Sequence, residues 1–368
     1  MHVVVRSLVR RGVEATTAYR MDESGYEVPK GSAVLMGTTV LVFLVMISLA
    51  EYTFARLIPT LMMVESPQAV LFEPLSSEDP DKTSKGQAEL DLFLVKPQPI
   101  TTTFRSTLKH LRARAGRASR FRGFASFLVY TFATQHLAFF LSASALPGCV
   151  PPVVAAVVCA QLSMLWTHVV ITEPSTKRWY QRIPSFQSWK KVAGPTAILA
   201  IAEQLSYILP AYLFVSYGLD DMTPQTATEL SKTACHMVVI QGFSVVLLSA
   251  ALSFLIVVPA NVSLTRVQAS LLAETEDTIV PFDRTFGGKV TSESMGTAGL
   301  VGMLEAWKTF DWNSRARLLK AYAKAFSIQV ALTMLMFITV GAQIMFVTGG
   351  EPQKLIPNQG NQSGEVSI

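Results

Sequence analysis

The stretch AVLMGTTVLVFLVMISLA, from Ala33 to Ala50, contains no charged residue. A helix needs about 20 apolar residues to cross the hydrocarbon core of a bilayer, so this stretch predicts a membrane span. We expect the helix to continue beyond Ala50, where Glu51 and Arg56 would face each other five positions apart. Five more stretches satisfy the same criterion. We therefore predict six spans, at 33–58, 124–146, 150–172, 194–217, 236–259 and 325–347.

The composition indicates an all-α membrane protein. Of the 368 residues, 50% are apolar and 15% are charged, whereas soluble domains carry about 25% charged residues. Cys149, Cys159 and Cys235 give neither a disulfide framework nor the spacing of a zinc site, so we predict no metal and no cofactor. The net charge of +5 does not indicate a nucleic-acid partner, because most of the basic residues lie in the loops that are predicted to share one side of the membrane.

The loops alternate between long and short, and the basic residues follow this alternation. Loops 60–122, 173–191 and 263–324 hold ten, five and eight lysines and arginines. The short connection 147–149 holds none, and 218–235 holds only Lys232. Basic residues stay on the side of the membrane that did not translocate. The three long loops are therefore predicted to share one compartment, with both termini in the other.

The same pattern divides the chain into six segments. Residues 66–103 contain five prolines among polar residues, which predicts a flexible loop. The first eleven residues contain three arginines and no acid, which resembles a short organellar presequence. The segments are the amino-terminal tail 1–32, the first span with its basic loop 33–122, the second and third spans 123–191, the fourth and fifth spans with a long loop 192–324, the sixth span 325–348, and the polar tail 349–368.

Six spans joined by alternating loops favour a threefold repeat of two-helix units. Pro59, Pro174 and Pro259 are predicted to end the odd-numbered spans. Gly116 stands five positions before Phe121-Arg122-Gly123-Phe124, and Gly299 stands five positions before Leu304-Glu305-Ala306-Trp307. We expect the first glycine to supply the positive φ of a turn, and the small residue inside each run to let backbones pack closely.

On these residues the chain resembles the mitochondrial carrier family. Phe121 to Phe124 and the later run Phe132-Ala133-Thr134-Gln135-His136-Leu137 look like the entry and interior of that family's second span. Asn261, Leu264, Arg266 and Gln268 have the spacing of its signature after Pro259. The resemblance implies three repeats of about a hundred residues around a central cavity, transport of a small solute, and a mitochondrial membrane.

The chain departs from the family at its gates. The family signature has an acid two positions after each proline and a base five positions after. The salt-bridge gate is therefore not expected here, which leaves three hypotheses: a transporter gated by packing and hydrogen bonds, a non-transporting scaffold or adaptor of the same fold, and an unrelated six-span protein. The residues at the gate positions are Leu61 and Val64, Thr176 and Trp179, and Asn261 and Leu264.

Polar residues within the spans are candidates for solute binding. An ionisable side chain at mid-bilayer costs roughly 2.5–3.5 kcal/mol on insertion scales, so it is a functional hypothesis by default. Glu203 and His136 are predicted as a charged or proton-exchanging pair; the alternative is that such residues only hold the helices together. The resemblance implies that Tyr130 and Ile198 lie at substrate contact points. The candidates are Tyr130, Gln135, His136, Gln161, Ile198, Glu203, Gln204 and Gln329.

A basic run precedes the second span, with residues three or four positions apart over much of its length. This spacing predicts a helix that lies along the membrane and faces anionic lipid headgroups, at about 1 kcal/mol per base. The resemblance implies that cardiolipin is one such lipid, and simple retention of the loop on one side is the alternative. The predicted lipid-facing residues are Arg112, Arg114, Arg117, Arg120 and Arg122.

Motifs of enzymes are absent from the sequence. There is no His-Glu-x-x-His zinc helix, no Gly-x-Ser-x-Gly elbow and no Gly-x4-Gly-Lys nucleotide loop. The run Gly242-Phe243-Ser244-Val245 partly matches the elbow, but it lacks the second glycine and no histidine follows it. We therefore predict that the chain is not an enzyme.

Overall fold

The computed structural model describes residues 30–66, 99–144, 146–175, 177–222, 231–273, 275–283 and 302–347. Every regular element in these ranges is helical. In them, five helices are long and apolar enough to cross a membrane, and a sixth is added if one bent pair counts as a single span. These findings confirm the predicted all-helical membrane class. Most of the amino-terminal tail, most of the proline-rich loop, Gly299, Thr176 and the polar tail lie outside the described residues.

The first helix contains a widened turn. It consists of α1 (Lys30–Ala50), a π-helical segment (Glu51–Leu57) and α2 (Ile58–Val64), in which Pro59 is the second residue. Proline lacks the N–H that an α-helix would use at this point, and a π turn accommodates the missing donor. A π-helix joins residues five positions apart, and Glu51 Oε1 indeed lies 3.7 Å from Arg56 Nη2, as predicted.

The fifth helix repeats this arrangement. It consists of α8 (Lys232–Leu252), a π-helical segment (Ser253–Val257) and α9 (Val258–Ser270), with Pro259 again in second place. The prediction that Pro59 and Pro259 end their helices is therefore wrong: the π turn absorbs the missing donor and each helix continues beyond its proline. Pro174 does lie outside a helix, three residues beyond Ile171.

The third span is broken instead of widened. Helices α5 (Val150–Val158) and α6 (Ala160–Ile171) meet at Cys159 and are bent by 57°. The other long helices are continuous and begin at or before the start of the predicted spans, because the aromatic and basic segments that precede the apolar runs are helical too. These are α4 (Phe124–Ser142), α7 (Phe186–Ser216) and α11 (Trp312–Val347).

Short helices lie between the spans in the long loops. They are α3 (Phe104–Ala115) and α10 (Met303–Lys308), with 3₁₀ turns at Arg117–Phe121 and Trp179–Arg182. Gly116 ends α3 with a φ of 81°, as predicted. A Cβ on Gly123 would lie 3.3 Å from Val170 Cγ2, which confirms that this small residue permits close packing.

The core lies at the end of the bundle from which the long loops leave. There α2, α6 and α9 pack on one another through Leu61 and Val64, Val170 and Ile171, and Ala269. By contrast, α8 has no buried residue along its described length. The burial thus concentrates at one end, which we call the closed end.

Candidate functional site

A cavity of about 70 Å³ lies directly against the closed end. Its wall combines residues from the first π segment and from α4, α6, α7 and α9, so all of the first five spans contribute. The lining is rich in hydroxyl, amide and charged groups, which is unusual for the interior of a membrane bundle. Polar members of the wall include Arg56, Tyr130, Thr196, Glu203, Asn261 and Gln268.

Two of the predicted solute-binding residues meet in this cavity. Tyr130 of α4 is half-buried, and Glu203 of α7 is exposed although it belongs to the wall. Glu203 thus contributes an exposed carboxylate to the wall of the cavity. Within the described ranges, Glu203 has no ion-pair partner within 4 Å. The carboxylate of Glu203 thus lines the cavity from a membrane helix without a direct ion pair, and the charge of Arg56, which also lines the cavity, acts on it.

Other predicted residues are exposed on the faces of their helices. His136 stacks on the ring of Phe132 with a centroid distance of 3.7 Å, and its Nδ1 lies 2.9 Å from the carbonyl oxygen of the same phenylalanine. In the part of the chain that the structure describes, no ion pair joins His136 to Glu203. Gln135 is exposed and so is Ile198, at 47%.

Three predicted glutamines also lie outside the wall of the cavity. Gln161 donates a hydrogen bond of 3.3 Å from Nε2 to the carbonyl oxygen of Pro184. Gln329 of α11 donates one of 3.4 Å to the carbonyl oxygen of Ile47 in α1. Gln204 is half-buried beside Glu203 in sequence. The contacts of Gln161 and Gln329 connect neighbouring segments of the chain, which is the role that polar groups play between membrane helices.

The floor of the cavity is a neutral hydrogen-bonded cluster between α6 and α9. Thr167 Oγ1 donates to Gln268 Oε1 at 2.6 Å, and Gln268 Nε2 donates to Ser163 Oγ at 3.1 Å. His168 Nε2 donates to the carbonyl oxygen of Gln268 at 2.7 Å. All four residues are buried, and Gln268 is 1% exposed. The sequence lacks the carrier-type charge pairs, and in this structure neutral bonds hold these helix ends together.

Arg266 joins α9 to α2 at the same level. Its Nη1 donates to the carbonyl oxygen of Met63 at 3.1 Å, and its Nη2 donates to Thr309 Oγ1 at 3.1 Å. The guanidinium carbon also lies 5.5 Å from the ring centroid of Phe310. From the sequence, Arg266 was only one residue of the family signature after Pro259. In the structure it links α9 to the end of α2 through the main-chain carbonyl of Met63.

Residues 275–283 cross beneath the closed end, and we call this segment the strap. Thr278 forms an antiparallel bridge with Thr172 just beyond α6. Ile279 N donates to the carbonyl oxygen of Ile171 at 2.9 Å, and Ser66 N donates to that of Pro281 at 3.0 Å. The strap thus ties the ends of α6 and α2 together.

The strap also contributes to the core. Ile279 and Val280 are 3% and 1% exposed and pack with Leu61 and Val64. His110 of α3 donates from Nε2 to the carbonyl oxygen of Ile279 at 2.8 Å. The strap was not predicted, although the apolar run Ile279–Phe282 within a polar loop indicates a segment that could be buried.

A buried carboxylate reinforces the other side of the closed end. Glu65, which is 2% exposed, follows α2 directly and accepts hydrogen bonds from the Thr101 hydroxyl group and, at 2.6 Å, from the Ile100 N–H. Arg317 of α11 places its Nη1 3.3 Å from Glu65 Oε2. This ion pair joins the first and sixth helices where the proline-rich loop leaves and returns.

The predicted lipid-facing basic residues separate into two groups. Arg112, Arg117 and Arg120 are exposed, and so is Arg114, which pairs with Glu173 at 3.0 Å. Arg122 is half-buried: its Nε donates to the carbonyl oxygen of Val169 at 2.7 Å and its Nη2 donates to that of Thr172. The prediction that Arg122 faces lipid is therefore wrong, because its guanidinium group binds the end of α6.

No protein-family model matches the chain, and no curated protein matches its sequence. A functional interpretation therefore depends on the fold, the cavity and the closed end alone.

Proposed function

We propose that the chain is a divergent carrier-type transporter that moves a small solute through the central cavity. The observation that supports this most is the position of the cavity: a polar, accessible chamber that ends on a sealed floor. A chamber open on one side and closed on the other is one of the two end states that alternating access requires. The packed helix ends of the floor lie between the cavity and the long loops.

The three segments that seal the floor also support a threefold arrangement. Helices α2, α6 and α9 begin at Ile58, Ala160 and Val258, which are 102 and 98 residues apart. Each follows an irregular turn, which is π-helical in the first and fifth helices and a bend at Cys159 in the third. On this proposal Cys159, and not Pro174, marks the middle repeat.

The chemistry of the floor is compatible with opening. Neutral hydrogen bonds contribute about 1 kcal/mol each in net terms, so a cluster of three is not a prohibitive barrier. The carbonyl of Met63 and the amide of Gln268 have polar partners that water can replace when the helix ends separate. Loss of the family's charge pairs therefore does not exclude a gate.

A non-transporting scaffold is the second candidate. The strap and the buried Glu65–Arg317 pair add contacts that would have to break before the closed end could open. A scaffold needs no such opening, and these contacts favour it. The location that the resemblance implies, a mitochondrial membrane, is part of either proposal, as is binding of anionic lipids by Arg112, Arg117 and Arg120.

Uptake of solutes into proteoliposomes tests the transport proposal. We expect at least one small polar solute of a broad panel to enter faster than into protein-free liposomes. Glu203→Gln should reduce this uptake, whereas Glu305→Gln, the same change on an exposed residue of α10, should not. Uptake equal to that of protein-free liposomes across the panel, with folded protein, would favour the scaffold.

A further inference from the structure

We propose that the central cavity binds a small zwitterion that carries both an ammonium and a carboxylate group, as a small amino acid does. This inference deepens the proposed function by naming the class of solute. It depends on the cavity for binding and on the transport proposal only for movement across the membrane.

The wall contains one charge of each sign. Among the described residues that line the cavity, Arg56 and Glu203 are the charged ones. They come from different helices, the first π segment and α7. A solute with one positive and one negative group complements both and leaves the occupied cavity without excess charge, which matters where the surrounding solvent is lipid.

Glu203 is not in direct contact with a cation in the described residues: the charge of Arg56 acts on it, but from beyond 4 Å. It has no ion-pair partner within 4 Å among the described residues, although it lies in a membrane helix. An isolated carboxylate in such a position is costly unless water or a cationic ligand reaches it. Because Glu203 is exposed on the accessible side of the cavity, an incoming ammonium group can reach it first.

Arg56 retains capacity for an anion. Its carboxylate contact is Glu51 of the same helix at 3.7 Å, beyond the range of a good hydrogen bond, and both side chains are about half exposed. A guanidinium group has five N–H donors in a planar fork that matches a carboxylate. The fork can therefore hold the carboxylate of a solute while Glu51 keeps the arginine in place.

The rest of the wall suits a short polar solute. Asn261 uses its amide nitrogen on Tyr322 Oη at 3.2 Å, and Thr196 uses its hydroxyl group on its own helix. A cavity of about 70 Å³ has room for roughly five waters at about 10–15 Å³ each, which is close to the number of non-hydrogen atoms in glycine or alanine. Larger side chains would have to extend toward the open side.

Equilibrium binding to the detergent-solubilised full chain tests the inference. The probes are alanine, which carries both charges, ethylamine, which carries only the ammonium, and propionate, which carries only the carboxylate. We expect alanine to bind about tenfold or more tightly than either single-charge analogue, since each analogue lacks one of the two charge-assisted contacts. Equal binding of ethylamine or propionate, or no binding of alanine, would overturn the proposal.

Paired variants assign the two contacts. Glu203→Gln should remove the advantage of alanine over propionate, and Arg56→Gln should remove its advantage over ethylamine. Glu305→Gln and Arg120→Gln, on exposed residues outside the cavity, are the matched controls. The comparison of the three probes on the unmodified chain needs no variant to fold, so it decides the proposal alone.

Binding and transport can fail separately. Specific binding of alanine without any uptake would contradict the transport proposal and leave the zwitterion site standing. Uptake of a solute that lacks either charge, unaffected by alanine, would contradict the zwitterion site and leave transport standing.

Discussion

The hydroxyl group of Thr167 donates a hydrogen bond of 2.6 Å to the side-chain oxygen of Gln268, and this bond joins α6 to α9 at the floor of the cavity. The amide nitrogen of Gln268 returns a bond to Ser163 on α6, so one glutamine satisfies two hydroxyl groups of the opposite helix. The junction of α6 and α9 at the floor is therefore made by neutral polar contacts within an apolar core, and each contact can be tested.

Thr167→Val should loosen the closed end. The change keeps the shape of the side chain but leaves the buried Gln268 oxygen without its donor, so we expect the free energy of unfolding to fall by about 1–3 kcal/mol. Thermal unfolding in detergent measures the effect. Thr339→Val is the matched control, because among the described residues Thr339 Oγ1 donates within its own helix, to the carbonyl oxygen of Leu335. Equal effects of the two changes would contradict a special role for the floor.

Thr172→Cys combined with Thr278→Cys should lock the strap. Residues opposite each other in an antiparallel bridge have Cα atoms about 4.5–5.5 Å apart, within the range of a disulfide. In a chain whose native cysteines are replaced, we expect oxidation to form the disulfide and to stabilise the fold by roughly 2–4 kcal/mol, reversibly on reduction. Failure of the thiols to pair under oxidation would show that the strap does not rest against α6.

Arg122→Lys should destabilise the protein although it keeps the charge. A lysine cannot donate to the carbonyl oxygens of Val169 and Thr172 with the fixed fork of an arginine, so we expect a loss of about 1–3 kcal/mol in unfolding free energy. Arg120→Lys, on an exposed neighbour, should have little effect. The same thermal measurement compares them, and an unaffected Arg122→Lys variant would argue that this side chain is free to face lipid.

Arg112, Arg117 and Arg120 should mediate binding to anionic lipids. Replacing all three with glutamine is expected to weaken the stabilisation that anionic lipid gives over neutral lipid, by about 1 kcal/mol per base at low salt. Replacing all three with lysine, which preserves the charge, is the control. Thermal unfolding in nanodiscs of each lipid type provides the measurement, and an unchanged lipid effect in the glutamine variant would leave these arginines only a topological role.

The sequence was sufficient for the helical class and for part of the cavity. Long apolar runs identify the spans directly, because the bilayer imposes their length. Glu203 was predicted because ionisable groups are rare in such runs, and Tyr130 because the family resemblance implies a contact point there; both line the cavity. Arg56 was predicted only as a partner of Glu51, and Gln268 only as part of the family signature after Pro259. The sequence around each residue does not indicate which helix its side chain will face.

The helix irregularities and the strap could not be predicted, because they depend on contacts that the neighbouring sequence does not indicate. A proline at the end of a helix and a proline just after a widened turn, as Pro59 is, look alike in sequence, because both lack the same N–H donor. The bend at Cys159 could not be predicted from a helix-breaking residue, because residues 153–171 contain no glycine and no proline. The pairing of Thr172 with Thr278 joins residues that are distant along the chain, and only the packed helix ends bring them together.

The most direct test of the transport account needs no knowledge of the solute. Leu199→Cys places one thiol in the wall of the cavity. This substitution is added to the variant that lacks the native cysteines and carries Thr172→Cys and Thr278→Cys. During oxidation the wall thiol is blocked with a group that is removed without reducing disulfides. A membrane-impermeant thiol reagent is then added to either side of oriented proteoliposomes, before and after the strap disulfide is reduced. Labelling at position 199 is read by peptide mapping, because reduction also frees the thiols at positions 172 and 278. With the disulfide formed, labelling of the wall thiol should occur only from the side of the termini; after reduction it should occur from both sides. Labelling confined to the side of the termini in both states would contradict transport and favour a permanently closed scaffold.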